Sequence, residues 1–295
     1  MDSYVLGVAY AVFSVFTTAG NRVLLSGPLT RVDSRFASLV ASIIGLAILF
    51  VADVSTEGIT RTVSAPGWVL GLFVVVGVLN SGISRLLLYL SIRHLGANQA
   101  ETLQSTTALF AFVFAAALLH EGASLHALFG GILIVVGSLL VESRVSSYTR
   151  GGNPGLGVTS ALLSSLVFAF VLILIKAGLT SGYPYMSAVF ISSVGAFAFN
   201  ALLYHPKKLR SEFTMTPKKI VLSVVCASIL ITLSQIFRFA AFSYASAVVV
   251  STVISTSPAL VVALNKLISN RLEILSPKTI LSVLLVILGG ILVSY

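Results

Sequence analysis

Two arginines lie deep inside long apolar stretches of the sequence. Arg85 follows the run VVVGVLNSGIS, and Arg238 lies within SILITLSQIFRFAAF. An ionised side chain in the hydrocarbon layer costs at least ~2.5 kcal/mol, so it usually faces a protein interior or a water-filled cavity. A guanidinium binds a carboxylate or phosphate through two parallel hydrogen bonds. The pair predicts a site for an anionic group; alternatively, each arginine reaches the nearer interface or pairs with a local acid.

Other polar residues share the helix faces of these arginines, because residues three or four apart lie on one face. The candidate substrate-binding residues are Arg85 with Asn80, Ser81 and Tyr89, Arg238 with Thr232 and Gln235, and Asn21 in the first apolar run. They fit two interpretations. One is the lining of a solvated pathway, and the other is a set of interhelical hydrogen bonds worth about 0.6 kcal/mol each.

Glu101 is the only acid clearly inside a predicted membrane span, and Gln104 and Ser105 follow on its face. A carboxyl whose proton affinity changes as a cavity opens can couple proton movement to transport. The alternative is a fixed ion pair between Glu101 and Arg93 or Arg85. Both roles are kept as predictions.

The histidines and the cysteine predict no catalytic or metal-binding set. His94, His120, His126 and His205 fall at the edges of apolar runs, and no His/Asp/Glu pair shares a helix face within a span. Cys226, the single cysteine, lies in an apolar run and is interpreted as a packing residue. We therefore expect neither an enzyme nor a cofactor nor a metal site.

The composition predicts the elements that position these residues. Hydrophobic residues make up 57% of the 295 positions and charged residues 9%, against about 25% charged in a soluble domain. The net charge of +9 comes from loops between apolar runs. This distribution favours membrane topology and contact with anionic lipid over a nucleic-acid partner. The fold class is therefore an all-α integral membrane protein.

The apolar runs predict ten membrane-spanning helices, since one span needs about 20 predominantly apolar residues. Spans 1 to 10 are predicted at 4–25, 34–52, 68–92, 97–119, 123–141, 155–178, 184–204, 218–243, 247–268 and 276–295. Basic residues collect in the odd-numbered loops, which are therefore predicted to be cytoplasmic. Both termini are then non-cytoplasmic, in a multi-pass protein of the cell membrane.

The two halves of the chain, 1–145 and 146–295, show related patterns. GVAYAVFS from Gly7 matches GVTSALLS from Gly157, while Arg85 is aligned with Arg238 at a shift of 153 and Arg22 with Lys176 at 154. Arg22 and Lys176 lie near predicted helix ends and are interpreted as interface residues. An odd number of helices per half inverts the second half, and inverted repeats are typical of alternating-access carriers. We predict two inverted five-helix repeats.

Glycine and proline add two expectations. Gly130, Gly131 and Gly137, with Gly289 and Gly290 in the second half, predict a close packing seam within the fold or a possible homodimer. Pro258 interrupts span 9 and predicts either a flexible point or a static kink.

Two long segments carry a family resemblance. They are LSIRHLGANQAETLQSTTALFAFVFAAALLHEGASLHALFGGILIVVGSLL from Leu90 and AFSYASAVVVSTVISTSPALVVALNKLISNRLEILSPKTILSVLLVILGGIL from Ala241. Each resembles a pattern of a tight small-residue turn, a fourth or ninth helix with a midway proline, a Gly-Glu-like turn and a glycine-bearing final helix. In these segments the chain resembles the drug/metabolite transporter superfamily, specifically its EamA-type ten-helix members. It departs from the family pattern at Thr107, taken as the counterpart of Pro258, and at the turns His120-Glu121 and Asn270-Arg271.

The resemblance implies secondary transport of small solutes, including amino acids, metabolites, nucleotide sugars and sugar phosphates. Our first expectation is export of amino acids or related small metabolites by alternating access. The alternative is exchange of anionic metabolites such as sugar phosphates or nucleotide sugars. A channel or a lipid flippase also uses a polar-lined bundle; a channel would show flux without saturation.

Overall fold

The computed structural model of the protein describes residues 3–118, 125–140, 153–204 and 206–269, with single positions between 281 and 292. Every regular element in these ranges is helical. The α-helices are α1 (Ser3–Ser26), α2 (Ser34–Thr56), α3 (Ile59–Val63), α4 (Gly67–Gly77), α5 (Arg85–Leu95), α6 (Ala97–Gln104), α7 (Thr107–Leu118), α8 (Leu125–Leu140), α9 (Pro154–Leu179), α10 (Tyr185–Leu203), α11 (Pro206–Met215), α12 (Lys218–Tyr244), α13 (Ala247–Ile254) and α14 (Ser257–Ser269). A 3₁₀ turn (Pro28–Thr30) follows α1, and a π-helical segment (Val78–Ser84) joins α4 to α5.

Within the described ranges, 7 helical stretches are long and apolar enough to cross a membrane. They correspond to predicted spans 1 to 4 and 6 to 8, and are Tyr4–Ser26, Ser34–Thr56, Gly67–Leu95, Ala97–Leu118, Pro154–Leu179, Tyr185–Leu203 and Lys218–Tyr244. Span 5 is represented by α8, and span 9 by α13 with α14. Most of span 10 and the turns at 120–121 and 270–271 lie outside the described residues. The chain is thus a multi-pass membrane protein, and the total of ten helices stays a prediction.

The bundle carries polar side chains inside and large apolar side chains outside. On α1, Phe13 is exposed and Ser14 is buried; on α9, Leu163 is exposed and Ser164 is buried. This arrangement suits a lipid environment, in which polar groups must find their partners inside the protein. Cys226 is also exposed, on the outer surface of α12. Its prediction as a packing residue is therefore wrong.

Helices α4 and α10 meet backbone to backbone at two glycines. A Cβ added to Gly77 would lie 1.7 Å from the carbonyl oxygen of Ser192, and one added to Gly195 would lie 2.3 Å from that of Val74. Only glycine allows this approach. At Gly131, in the predicted seam, the nearest atom would be 3.4 Å away, an ordinary contact. Dimerisation through the predicted seam stays a prediction.

Several interhelical contacts occur twice, at positions that differ by 150. The hydroxyls of Ser14 and Ser234 donate to each other's carbonyl oxygens at 3.0 and 3.1 Å. Those of Ser84 and Ser164 do the same at 3.2 and 2.8 Å. Ser14 is thus equivalent to Ser164, and Ser84 to Ser234. The same shift of 150 relates the close contact of Gly7 with Ala245 to that of Gly157 with Leu95. It also relates the two helix interruptions described below. Over the described positions from 7 to 107, residue n of the first half is therefore equivalent to residue n+150.

This shift corrects two alignments made from the sequence. The structure makes Arg85 equivalent to Gln235 rather than to Arg238, which lies three residues further on. Arg22 is likewise not the counterpart of Lys176. The ammonium of Lys176 donates to two carbonyl oxygens near the end of α12, at 3.0 and 2.8 Å, whereas Arg22 is buried in the bundle.

Predicted spans 4 and 9 are both interrupted, at equivalent positions. In each gap two hydroxyls donate to backbone carbonyls of the preceding turn, a bonding pattern that competes with helix continuation. These donors are Ser105 (2.7 Å), Thr106 (2.8 Å), Ser255 (2.8 Å) and Thr256 (2.7 Å). Pro258 follows the second gap, and its equivalent is Ala108 rather than Thr107. The interruption therefore forms without a proline in the first half.

Candidate functional site

A small cavity lies in the middle of the bundle, between helices of both halves. Its volume is about 50 Å³, enough for a few water molecules. The charged and amide side chains that line it are Arg22, Asn80, Arg85, Glu101, Gln104 and Arg238. The site therefore combines residues of α1, the π-helical segment, α5, α6 and α12.

Two apolar clusters flank the cavity along the helices. The Phe73 cluster includes Phe73, Leu49, Phe239 and Phe242 and lies toward the end of the bundle with segments 57–66, 180–184 and 245–246, here called the Gly58 end. The Phe36 cluster includes Phe36, Leu88, Ala100 and Val224 and lies toward segments 27–33, 96 and 204–217, the Gly96 end. On α12, for example, Val224 precedes the lining residues Ile231 and Arg238, and Phe242 follows them. Buried apolar side chains thus lie on both sides of the cavity along the described helices.

Arg85 is held by a chain of hydrogen bonds that joins the two halves. Its Nη2 donates to the Ser81 hydroxyl at 2.8 Å, and that hydroxyl donates to Oε1 of Gln235 at 3.0 Å. Arg85 begins α5 directly after the π-helical segment, whose wide turn is a feature often found at functional sites. The segment thus sets the direction of the side chain.

Arg238 has an aromatic neighbour and an unused donor. Its guanidinium carbon lies 4.9 Å from the centroid of the Phe168 ring, within cation–π range. Its Nε has no hydrogen-bond partner among the described residues. Since the side chain is only 6% exposed, this donor is buried in the protein.

Glu101 forms the predicted fixed ion pair, but with another partner. Its Oε1 lies 2.5 Å from Nε of Arg22, while Arg93 is exposed. The other carboxylate oxygen accepts from the Ser257 hydroxyl at 3.2 Å. Arg22 also donates to Oδ1 of Asn21 at 2.9 Å. Both the predicted partners of Glu101 and the interface role of Arg22 are therefore wrong.

Two further buried side chains present polar atoms that lack partners among the described residues. They are the donor Nδ2 of Asn80 and the acceptor Oε1 of Gln104. Both residues line the cavity, as Arg238 does. An unpaired buried polar atom costs roughly 1–3 kcal/mol, so each of these atoms favours a bound partner.

The predicted residues fall into three groups. Asn80, Arg85, Arg238 and Glu101 line the cavity. Ser81 accepts a hydrogen bond from Arg85, and Asn21 accepts one from Arg22. Gln235 accepts from the Ser81 hydroxyl, and Tyr89 places its ring 5.9 Å from the guanidinium of Arg22. Thr232 does not line the cavity; its hydroxyl donates to the Ser228 carbonyl in its own helix at 2.8 Å.

Arg22 and Ser257 are lining residues that sequence reasoning missed. Thr18 lies one helical turn before Arg22, and Asn21 lies beside it. This clustering of polar residues on α1 was the available signal. It was outweighed by the position of Arg22 near the predicted end of span 1.

The lining is symmetric in position and asymmetric in chemistry. Five pairs of lining residues differ by 150: Thr18/Phe168, Leu88/Arg238, Gln104/Ile254, Ser105/Ser255 and Thr107/Ser257. The first half nevertheless supplies two of the three arginines and the one glutamate of the lining. Three guanidiniums facing one carboxylate give the cavity a formal charge of +2.

A polar cavity lined by membrane-spanning helices of two related halves is typical of a membrane transporter. The sequence matches the EamA-like transporter family over residues 5–143 and 155–295, and the chain belongs to this family. It is therefore a membrane transporter of the small-solute type. The division of the repeats at 145/146 stays a prediction.

Comparison with solved structures agrees in fold. A crystal structure described only as that of a protein is similar with a TM-score of 0.69 and 14% sequence identity. The match covers 98% of this chain and 95% of the other. At this identity the likeness shows the fold alone. No curated protein matches the sequence.

Proposed function

We propose that the protein is a secondary transporter that moves small metabolites with an anionic group across the cell membrane by alternating access. The observation that carries this proposal is the excess of guanidinium over carboxylate in the cavity, three against one. A buried excess of positive charge is stabilised by an anionic ligand. Arg238, with its unpaired Nε, is the proposed main contact of that group.

The unpaired amide atoms extend the description of the substrate. Nδ2 of Asn80 is a donor and suits an anionic or carbonyl oxygen, whereas Oε1 of Gln104 is an acceptor and suits a hydroxyl or amino group. A small molecule with a carboxylate and such a donor satisfies both. Amino acids and hydroxy acids belong to this class, and we propose them as the first candidates.

Alternating access is supported by the two apolar clusters. The cavity, at about 50 Å³, is too small for a metabolite of several heavy atoms, so binding requires the bundle to open. Separation of the helices at the Phe73 cluster would open the Gly58 end, and separation at the Phe36 cluster would open the Gly96 end. Two inverted five-helix repeats would make these movements equivalent.

A second candidate function is exchange of anionic metabolites such as sugar phosphates. The formal charge of +2 favours it, because a phosphate monoester carries about −1.5 to −2 at neutral pH. Such a ligand would engage Arg85 as well as Arg238. The two candidates differ in whether a single carboxylate is enough for binding.

A ligand screen on the purified full-length protein tests the proposal. Amino acids, hydroxy acids, sugar phosphates and matched neutral solutes are compared by the shift in thermal unfolding, since binding to the native state raises apparent stability. We expect shifts with an anionic class only. Counterflow in liposomes should then saturate with the same ligands, and efflux from loaded vesicles tests the proposed direction, export. Stabilisation by neutral solutes alone, or flux without saturation, would contradict the proposal.

A further inference from the structure

The π-helical segment accepts a hydrogen bond from a side chain of the other half of the chain. Asn200 lies on α10 and is 1% exposed. Its Nδ2 donates to the carbonyl oxygen of Ser81, in the π-helical segment, at 3.2 Å. Because a backbone carbonyl only accepts, the amide nitrogen of Asn200 and not its oxygen must face Ser81. The contact therefore joins α10 to the middle of the π-helical segment.

The Ser81 carbonyl is bonded differently from a carbonyl in a regular α-helix. There it would accept from the N–H four residues later, which is that of Arg85. Here the Arg85 N–H donates to the carbonyl oxygens of Asn80 and Gly82. The Ser81 carbonyl has thus lost its α-helical donor, and it accepts from the Asn200 amide.

The second half of the chain provides an internal comparison. At the shift of 150, the π-helical segment corresponds to residues 228–234, which lie inside the uninterrupted helix α12. Asn200 corresponds to Phe50 of α2, which is 48% exposed and whose ring has no hydrogen-bond donor. The half that receives the amide has the π-helical segment, and the half that does not has a regular helix.

The π-helical segment changes which side chains reach the cavity. Its bonds span five residues instead of four, so the side chains around it point in other directions than they would in an α-helix. Arg85 lines the cavity, whereas its counterpart Gln235 in α12 does not. Asn80 also lines it, and its counterpart Leu230 does not. Arg85 in addition donates to the hydroxyl of Ser81, the residue whose carbonyl Asn200 binds.

Asn200 acts from outside the cavity, since it is not a lining residue. Its two amide hydrogens have three neighbouring acceptors: the Ser81 carbonyl, the Ser42 hydroxyl at 3.0 Å and the Ala196 carbonyl at 2.8 Å. Without the Ser42 hydroxyl, one hydrogen would remain for each carbonyl. The Ser38 hydroxyl lies 3.5 Å from the Ser81 carbonyl, a longer contact. Asn200 is thus the stronger of these two side-chain donors to Ser81.

We propose that Asn200 is a positioning residue, which maintains the π-helical segment and so directs Arg85 into the cavity. Loss of its amide would favour a regular α-helix through 78–84, with the Arg85 N–H on the Ser81 carbonyl. The Arg85 side chain would then leave the lining, where its counterpart Gln235 is already absent. The role of Arg85 toward an anionic group rests on the proposed function, whereas the link between Asn200 and the π-helical segment does not.

A structure of Asn200→Leu tests this link without any ligand. Leucine is branched at the same carbon and has no donor, so we expect a regular α-helix through 78–84 when the full-length variant is crystallised from a lipid phase. Asn200→Ala, with a smaller side chain, gives the same test if leucine prevents folding. Ser42→Ala is the matched control, because it removes a different acceptor of the same amide and should keep the π-helical segment. A π-helical segment that persists without the amide would overturn the proposal.

Titration with inorganic phosphate tests the consequence for Arg85. Thermal unfolding of the purified full-length protein is followed in sodium phosphate and in sodium chloride of equal ionic strength, since a ligand of the native state raises apparent stability. We expect Arg85→Gln to raise the apparent Kd about tenfold, the usual size for a lost hydrogen bond to a charged group. Asn200→Leu should raise it by a similar factor, and the double variant by no more. Ser42→Ala should leave it nearly unchanged.

The double variant separates positioning from a purely structural role. A structural residue would lower the unfolding temperature and leave the phosphate Kd unchanged, or its effect would add to that of Arg85→Gln. Either result would overturn the positioning role. If no anionic solute binds the wild type but Asn200→Leu has the regular helix, the link between Asn200 and the π-helical segment stands and the proposed function fails.

Discussion

At the scale of single residues, the cavity depends on how each buried arginine is neutralised. Arg22 has a carboxylate, Arg85 has the Ser81 hydroxyl, and Arg238 has the face of Phe168. A hydroxyl and a ring face compensate a charge less fully than a carboxylate does. Arg85 and Arg238 are therefore the residues at which an incoming anion gains most.

Replacement of Arg238 should weaken binding of the anionic substrate. In Arg238→Gln the guanidinium is lost while a polar side chain stays, and loss of a buried charged contact costs about 2 kcal/mol or more, roughly 30-fold in Kd. Ligand titration by thermal shift measures the change. The control is Arg61→Gln, since Arg61 is exposed and far from the lining. Equal affinity in wild type and Arg238→Gln would remove the arginine from the site.

Replacement of Glu101 should destabilise the protein and increase the effect of ligand. Glu101→Gln leaves the Arg22 guanidinium buried without its carboxylate, a change that typically costs about 3 kcal/mol or more. An anionic ligand can then neutralise Arg22, so its stabilisation of the variant should exceed that of the wild type. Thermal unfolding with and without ligand gives both quantities. A variant with unchanged stability and an unchanged ligand shift would contradict this account.

Part of this site could be predicted from the sequence, for a physical reason. Asn80, Arg85, Glu101 and Arg238 lie well inside apolar runs, where ionisable and amide groups need a polar interior. Arg22 lies near a predicted helix end, where interface and interior positions look alike. The depth of such a residue depends on what covers the helix end, here segment 27–33, and one sequence gives no information about that packing.

At the scale of helices, the contact of α4 with α10 is the closest approach described. Its two glycines come from different halves of the chain, and each faces a carbonyl oxygen of the opposite helix. The π-helical segment begins one residue after Gly77. The contact between α4 and α10 therefore fixes the position of the π-helical turn that places Asn80 and Arg85 at the cavity.

An alanine at Gly77 should disturb the contact between α4 and α10. The added Cβ would clash with the Ser192 carbonyl, and overpacking of this kind costs about 1–3 kcal/mol. Gly71→Ala on the same helix is a matched control, because nothing lies within 4 Å of its added Cβ. We expect a lower unfolding temperature for Gly77→Ala and little change or a small gain for Gly71→Ala. Equal unfolding temperatures of the two variants would show that α4 and α10 do not pack this closely at Gly77.

Loss of Pro258 should have a small effect. The first half forms its interruption with Ala108 at the equivalent position, through the hydroxyls of Ser105 and Thr106. We expect Pro258→Ala to change stability by less than about 1 kcal/mol in thermal unfolding, whereas Ser255→Ala with Thr256→Ala should lower ligand binding. A large loss of stability in Pro258→Ala alone would show that the proline forms the break.

The helices themselves were largely predictable, and their irregularities were not. Apolar runs located the seven described spans within a few residues, because the thickness of the hydrocarbon layer fixes their length. The gap at Ser105 depends on local hydrogen bonds of hydroxyl groups. The π-helical segment depends on the contact with α10. Neither changes the hydropathy of the sequence, so neither left a signal in it.

At the scale of the whole molecule, the equivalence at 150 positions organises the packing. The serine pair 14/234 joins α1 to α12, and the pair 84/164 joins the end of the π-helical segment to α9. In both pairs, each serine hydroxyl donates to the backbone carbonyl oxygen of the partner serine on the neighbouring helix. These mutual bonds indicate that the two helices lie very close together. We infer that each pair of helices moves as one unit during transport.

Cross-linking tests this movement. In a Cys226→Ser background, Ser14→Cys with Ser234→Cys should form a disulfide, since the hydroxyl oxygens lie 3.0 Å apart. Counterflow should survive it if α1 and α12 move together. A reducible bifunctional thiol reagent that joins Phe73→Cys to Phe239→Cys, whose rings lie 6.1 Å apart in the wild type, should instead block counterflow until reductant is added. Loss of counterflow in the first variant would mean that α1 slides against α12.

The unequal chemistry of equivalent lining positions has a kinetic consequence. Thr18 corresponds to Phe168 and Gln104 to Ile254, so the solute meets different walls when it enters from the two faces. Half-saturation concentrations on the two faces should then differ. Without an energy source, the solute concentrations on the two sides of the membrane must still become equal at equilibrium. The face with the lower half-saturation concentration must therefore have a proportionately lower maximal velocity. Such a carrier responds to scarce solute on one face and to abundant solute on the other.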